Sequence, residues 1–96
     1  MPTYIILANL TDQGARAIKD SPDRFDAFKA LAEGAGVSVK SAHWTTGAYD
    51  MVLVTEGSEE ALMTLNVKMA SLGNVRTQTL RGFSISEMRK FVSALK

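Results

Sequence analysis

The chain has 96 residues, a formal net charge of +1, no cysteine and 46% hydrophobic side chains. That is one domain of roughly average composition, residues 1–96, able to bury about 60–65% of the surface its unfolded form exposes. The composition argues against a disulfide framework, a thiolate nucleophile and a zinc ribbon. No apolar run approaches the ~20 residues of a membrane span, and the N-terminus lacks the pattern of a secretory leader, so a cytoplasmic location is expected.

Charge is unevenly spread. Residues 1–60 carry five basic and nine acidic side chains, whereas residues 61–96 carry six basic and only Glu87 as an acid. Two solvated faces would produce this. So would head-to-tail complementarity between subunits, or a basic cavity rim that attracts an anion.

Thr3 to Leu10 is apolar and partly β-branched or aromatic, which predicts a buried strand. Thr11 or Asp12 can cap a helix that follows. Ser21-Pro22 interrupts the helical pattern, so a short helix should end near Asp20. A second should start with Ser21 as N-cap and Pro22 at its first position. Phe25, Phe28, Leu31 and Ala32 then form its inner face, and Gly34 and Gly36 bracket its end.

Val37 to Thr45 reads as a half-buried strand, Thr46-Gly47-Ala48 as a turn, and Tyr49 to Thr55 as its antiparallel partner. Ser58, followed by Glu59 and Glu60, is an N-cap with acidic residues in the first turn. Leu62, Leu65, Met69 and Leu72 line one face of that helix, and Gly73 stops it. Val75 to Phe83 is a fourth strand. Ser84 to Leu95 is a C-terminal helix with Ile85, Met88, Phe91, Val92 and Leu95 on one side.

The order is β-α-β-β-α-β plus a terminal helix, the split βαβ pattern of an α+β, ferredoxin-like fold with a four-stranded antiparallel sheet. Helices on one face leave the other face bare and apolar. Such a patch predicts self-association, sheet face to sheet face, into a homodimer or higher oligomer of the dimeric α+β barrel type.

Three segments resemble the GYD domain family, over nearly the whole chain from Pro2 to about Phe83. The first is Thr11-Asp12-Gln13-Gly14 with Lys19 and Asp20-Ser21-Pro22. The second is Trp44-Thr45-Thr46-Gly47-Ala48-Tyr49-Asp50, with Ala48 between the Gly and the Tyr. The third runs from Leu72-Gly73-Asn74-Val75 to Arg81. The resemblance implies a small oligomeric α+β protein and no particular activity. More loosely, Gly47-x-Tyr49-Asp50 and Gly73-x-Val75-x-Thr77-x-Thr79 look like the effector-binding domains of leucine-responsive-type regulators, which bind amino acids between subunits. Related barrels include heme-degrading and cofactor-free monooxygenases and isomerases, and inference from them is by analogy.

The residues able to carry chemistry are few. Trp44 and Tyr49 flank the turn, as packing aromatics or as the wall of a ligand site. Asp50 sits against strand propensity. It either accepts hydrogen bonds that pin the turn, pairs with Arg76 or Arg81, or acts as a general base or ligand-orienting carboxylate. His43 is a surface residue, a proton-transfer group near neutral pH or, as in related barrels, an axial heme ligand. Strand alternation puts it on the face opposite Trp44 unless a bulge intervenes. Thr77, Thr79 and Arg81 share one face of their strand and suit either a solvated edge or the grip of an anion. If that strand is buried, Asp50 or Glu56 is the expected partner of its arginine.

The sequence-based expectation is therefore an oligomeric domain that binds a small molecule, an anionic metabolite among the options. The molecule would lie between sheet and helices or between subunits, among Trp44, Tyr49, Asp50, Thr77, Thr79 and Arg81. The first alternative is a small oxidoreductase, monooxygenase- or isomerase-like, with His43, Tyr49 or Asp50 handling the proton. The second is a structural assembly subunit. No cofactor is named by the residues, no metal site by their spacing, and no nucleic-acid surface by their charge.

Overall fold

A computed structural model describes residues 1–95. The elements are β1 (Thr3–Leu10), α1 (Asp12–Arg16), a 3-10 turn (Ile18–Asp20), α2 (Ser21–Gly34), β2 (Ser38–Trp44), β3 (Met51–Glu56), α3 (Glu59–Leu72), β4 (Val75–Gly82) and α4 (Ile85–Ser93). The sheet order is β2-β3-β1-β4, and every pairing is antiparallel. This is the α+β, ferredoxin-like arrangement that the element order predicts.

Alternation sorts each strand into two faces. Ile6 and Ala8 of β1 and Met51, Leu53 and Thr55 of β3 turn toward the helices and are buried. They meet Ala32 of α2, Val37, and Leu62, Leu65 and Met69 of α3. Leu65 is 1% exposed; truncating such a residue to alanine costs about 2–5 kcal/mol. The other face carries Ile5, Leu7, Val52, Val54 and Leu80, adjacent in register.

The strand β2 departs from the simple pattern. Its register shifts between Val39 and Ser41, so Lys40 is an extra residue of the kind that makes a β-bulge. Val39, Ala42 and Trp44 thereby oppose the helix-facing Thr55, Leu53 and Met51, while Ser41 and His43 oppose Val54 and Val52. The bare face is thus apolar at Ile5 and Leu7 of β1, Val52 and Val54 of β3 and Leu80 of β4, but polar along β2 and at Arg76 and Gln78 of β4.

One local expectation is corrected. Ser21 is the first residue of α2, with helical backbone angles, and Asp20 occupies the cap position without a side-chain cap bond. The Ser21 hydroxyl accepts instead from the Trp44 indole N–H at 3.1 Å. Leu72 keeps to the side of α3 that carries Met69, lining the cleft described below, but is 52% exposed in the last turn. The other caps hold. Thr11 accepts from the Gly14 N–H, Ser58 accepts from the Ala61 N–H, and Gly73 ends α3 at a left-handed φ of 76°, where glycine is favoured.

Candidate ligand-binding cleft

The helices α2 and α3 lie on the same side of the sheet, and a cleft of about 450 Å³ runs beneath and between them. That volume lies within the range of small-molecule sites. Its floor is Ile6, Ala8, Leu10, Met51, Leu53, Val75 and Thr77; Phe25, Phe28 and Leu31 line it from α2, and Met69 and Leu72 from α3. Ser21, Arg24, Lys68, Asn74 and Thr77 are its polar lining residues. The site is therefore apolar with a few polar groups, two of them cationic and on different helices.

Local sequence explains these walls. Phe25, Phe28 and Leu31 recur at helical spacing in α2. Trp44, at the end of β2, abuts the start of that helix, meeting Phe25 edge-on at 5.8 Å between centroids. Phe25 in turn tilts against Phe28 at 6.2 Å. Arg24 is held at the same end: its guanidinium donates to the carbonyl of Ala17 at 2.6 Å and to that of Gly14 at 3.4 Å.

The residues singled out from sequence do not form one cluster. Thr77 lines the cleft. Trp44 stands beside it through Phe25. Thr79, one step along the same face, lies 3.4 Å from the Asn66 amide of α3. Arg81 stands at the far end of β4, stacked over Phe83 at 4.3 Å and over Tyr4 at 5.7 Å, and pairs with Glu87 at 3.8 Å. Neither Asp50 nor Glu56 is its partner; Glu56 pairs with Lys40.

Asp50 is committed to the backbone. Its Oδ2 accepts from the Leu10 N–H at 2.8 Å, and its own N–H donates to the Ala8 carbonyl at 2.9 Å. Thr45 completes the turn, with its N–H on the Asp50 carbonyl and its hydroxyl on the Tyr49 carbonyl. The Tyr49 hydroxyl donates to Gln78 Oε1 at 2.7 Å, so its side chain reaches across β1 to β4 on the bare face of the sheet. His43 is exposed on that same face. Among the described residues no group of three or more His, Asp or Glu is placed to hold a metal ion. Sequence spacing gave no signal for Arg24 and Lys68, because which helical residues border a gap depends on how the helices sit on the sheet.

The fold is that of a small α+β domain with an apolar cleft between sheet and helices. The chain belongs to the GYD domain family, whose model matches residues 4–92. It is also similar to a protein of Thermus thermophilus described as a glutamine synthetase and cystathionine beta-lyase binding protein. The two are 33% identical over 90 residues, covering 92% of this chain and 95% of that one. No helix among the described residues is long and apolar enough to cross a membrane.

Proposed function

We propose that this chain is an oligomeric binding protein that takes a small molecule into the α2–α3 cleft and docks on enzymes. The cleft carries the reading: about 450 Å³ of apolar space with Arg24 and Lys68 among its lining suits a molecule with an apolar body and an anionic end. The commitment of the Asp50 carboxylate to Leu10 and of the Tyr49 hydroxyl to Gln78 favours binding over proton transfer by these groups. Self-association would use the bare sheet face, where Ile5, Leu7, Val52, Val54 and Leu80 are contiguous. The similarity to a protein named for binding glutamine synthetase makes that enzyme the first partner to try.

Titration calorimetry with straight-chain carboxylates of graded length tests the cleft. Saturable binding that grows with chain length and disappears in Ala27→Trp, which plugs the cleft from α2, is the expected result. Heat that never saturates, or an affinity unchanged by the plug, would reject the cleft as the site. Co-elution with purified glutamine synthetase from the same source tests the partner separately. Leu80→Lys, at a 41% exposed position, tests the sheet-face contact by native mass.

A further inference from the structure

Ser21 and Arg24 lie one turn apart on α2, and both line the cleft. Ser21 is only 8% exposed. Its hydroxyl accepts from the Trp44 indole N–H, and its own proton has no acceptor among the described residues. The Arg24 guanidinium uses one nitrogen, Nη2, on the carbonyls of Gly14 and Ala17. That holds the group in place and leaves Nη1 and Nε without an acceptor among the described residues. Asn74, a third lining residue, accepts at Oδ1 from the Gln13 amide at 2.9 Å, and its Nδ2 likewise has no acceptor there. Gly14 ties these groups to one end of the cleft: its carbonyl receives Arg24, and its Cα side is pressed against the Asn74 carbonyl.

That end offers donors and no acidic partner. Among the described residues the cleft lining includes two cations, Arg24 and Lys68, and no Asp or Glu. Asp20 and Asp23, beside the same turn of α2, are exposed and do not line it. An ionised carboxylate only accepts hydrogen bonds. It would take a charge-assisted bond from Arg24 and neutral ones from Ser21 and Asn74. An α-ammonium is different, because it is carried on the very next carbon and enters the same end. There it meets a guanidinium and further donors, with no carboxylate of the protein to pair with, and it loses water in the process.

We propose that Ser21, Arg24 and Asn74 seat the head of a carboxylic acid that has no α-amino group, and that the cleft therefore rejects amino acids. Such a seat presupposes that the cleft is a ligand site, as proposed above, and sets the ligand's chemical class and direction. Its apolar body would run from the seat over Phe25, Phe28 and Leu31, which line the cleft on successive turns of α2. The cleft then differs in ligand class from the amino-acid sites that the looser resemblance to leucine-responsive-type domains suggests.

Calorimetry on the full chain with octanoate, 2-aminooctanoate and octan-1-ol, which share one chain length, tests this. Octanoate should bind saturably and at least about tenfold more tightly than 2-aminooctanoate. This comparison uses the unaltered protein and does not depend on any variant folding. Arg24→Met keeps the apolar stem; with its fold confirmed by circular dichroism, it should weaken octanoate about tenfold to a hundredfold and octan-1-ol by less than about threefold. Equal affinity for octanoate and 2-aminooctanoate would overturn the proposal. So would a folded Arg24→Met that leaves octanoate unchanged or weakens both ligands alike. Ala27→Trp separates the two readings. If it abolishes binding while the preference for octanoate is missing, the cleft is a ligand site and only the carboxylate seat falls. If no probe saturates, or all bind Ala27→Trp as well as before, the cleft falls and the seat with it.

Discussion

Asp50 and Leu10, forty residues apart in sequence, are joined by a 2.8 Å hydrogen bond from the Leu10 N–H to Asp50 Oδ2. The carboxylate takes the place of a strand. The residue register of β3 with β1 ends at the Met51–Ala8 pair, and the Leu10 amide would otherwise lack its partner on that side. The segment containing Trp44, Tyr49 and Asp50 is thus fixed to β1 by backbone chemistry. Asp50→Ala should leave that part-buried N–H unsatisfied and cost about 1–3 kcal/mol, or about 4–8 °C in Tm per kcal/mol for a domain of this size. Asp50→Asn, which keeps an acceptor oxygen, should lose less. Thermal denaturation of both variants decides; equal losses would mean that charge, not the hydrogen bond, carries the effect.

Gly14 and Gly34 should respond to alanine with opposite signs. A Cβ at Gly14 would run into the carbonyl oxygen of Asn74 and would also lie 3.2 Å from Leu10 Cδ2. That side of α1 is pressed against the turn leading into β4, with Thr11 donating its N–H to the Asn74 carbonyl. Gly14→Ala should cost about 1–3 kcal/mol through overpacking. At Gly34 nothing lies within 4 Å of the added carbon, so Gly34→Ala should stabilise by about 0.5–1 kcal/mol. Urea titration of the two variants checks both signs.

Trp44 joins β2 to the start of α2 through its N–H to Ser21 and its edge-on contact with Phe25. Trp44→Phe should cost about 1 kcal/mol by removing the donor, and Trp44→Ala about 2 kcal/mol by also removing the aromatic contact. As the chain has one tryptophan, its fluorescence in the native protein reports this junction, and Phe25→Leu should shift the emission. If Trp44→Ala lowers the native mass while leaving Tm unchanged, the residue belongs to a subunit contact instead.

Acid should loosen α4. The Glu87 carboxyl is held below its ordinary pKa, first by the Ser84 backbone N–H, which desolvation opposes and to which the Ser84 hydroxyl, Arg81 and Lys90 add. A pKa lowered by folding means that the ionised form favours the folded helix. The contribution is present above the unfolded carboxyl's pKa and is lost as pH falls through the lowered one. Helicity measured by circular dichroism should drop as pH falls below the ordinary carboxyl range by the share that α4 contributes, and Glu87→Gln should flatten that part of the curve. A wild-type profile identical to that of the variant would reject the reciprocal Ser84–Glu87 hydrogen bonds, Ser84 N–H to Glu87 Oε1 and Glu87 N–H to Ser84 Oγ, as its source.

Much of the architecture was legible in the chain because it rests on local rules. The apolar, partly β-branched run from Thr3 to Leu10, the helical spacing of Leu62, Leu65 and Met69, and the caps at Thr11, Ser58 and Gly73 each depend on neighbours within a few residues. They suffice for the element order, and the order of elements restricts the topology to a few arrangements. The structural reading of Asp50, as a pin for the turn, was among those the sequence offered.

The rest depended on distances between segments far apart in sequence. The Lys40 bulge puts Ala42 and Trp44 on the helix side and leaves Ser41 and His43 on the bare face, a shift that alternation alone does not reveal. Ser21 serves Trp44 because β2 ends where α2 begins, which overrides the preference of serine for capping. The cleft exists because α2 and α3 sit apart on the sheet, and the lining role of Arg24 and Lys68 follows from that gap. Helical spacing determined which side of α4 is apolar; only the tertiary structure revealed that Phe91 of that side packs on Phe83 while Ile85 and Val92 stay exposed, since just Phe83 and Ser84 link the helix to β4.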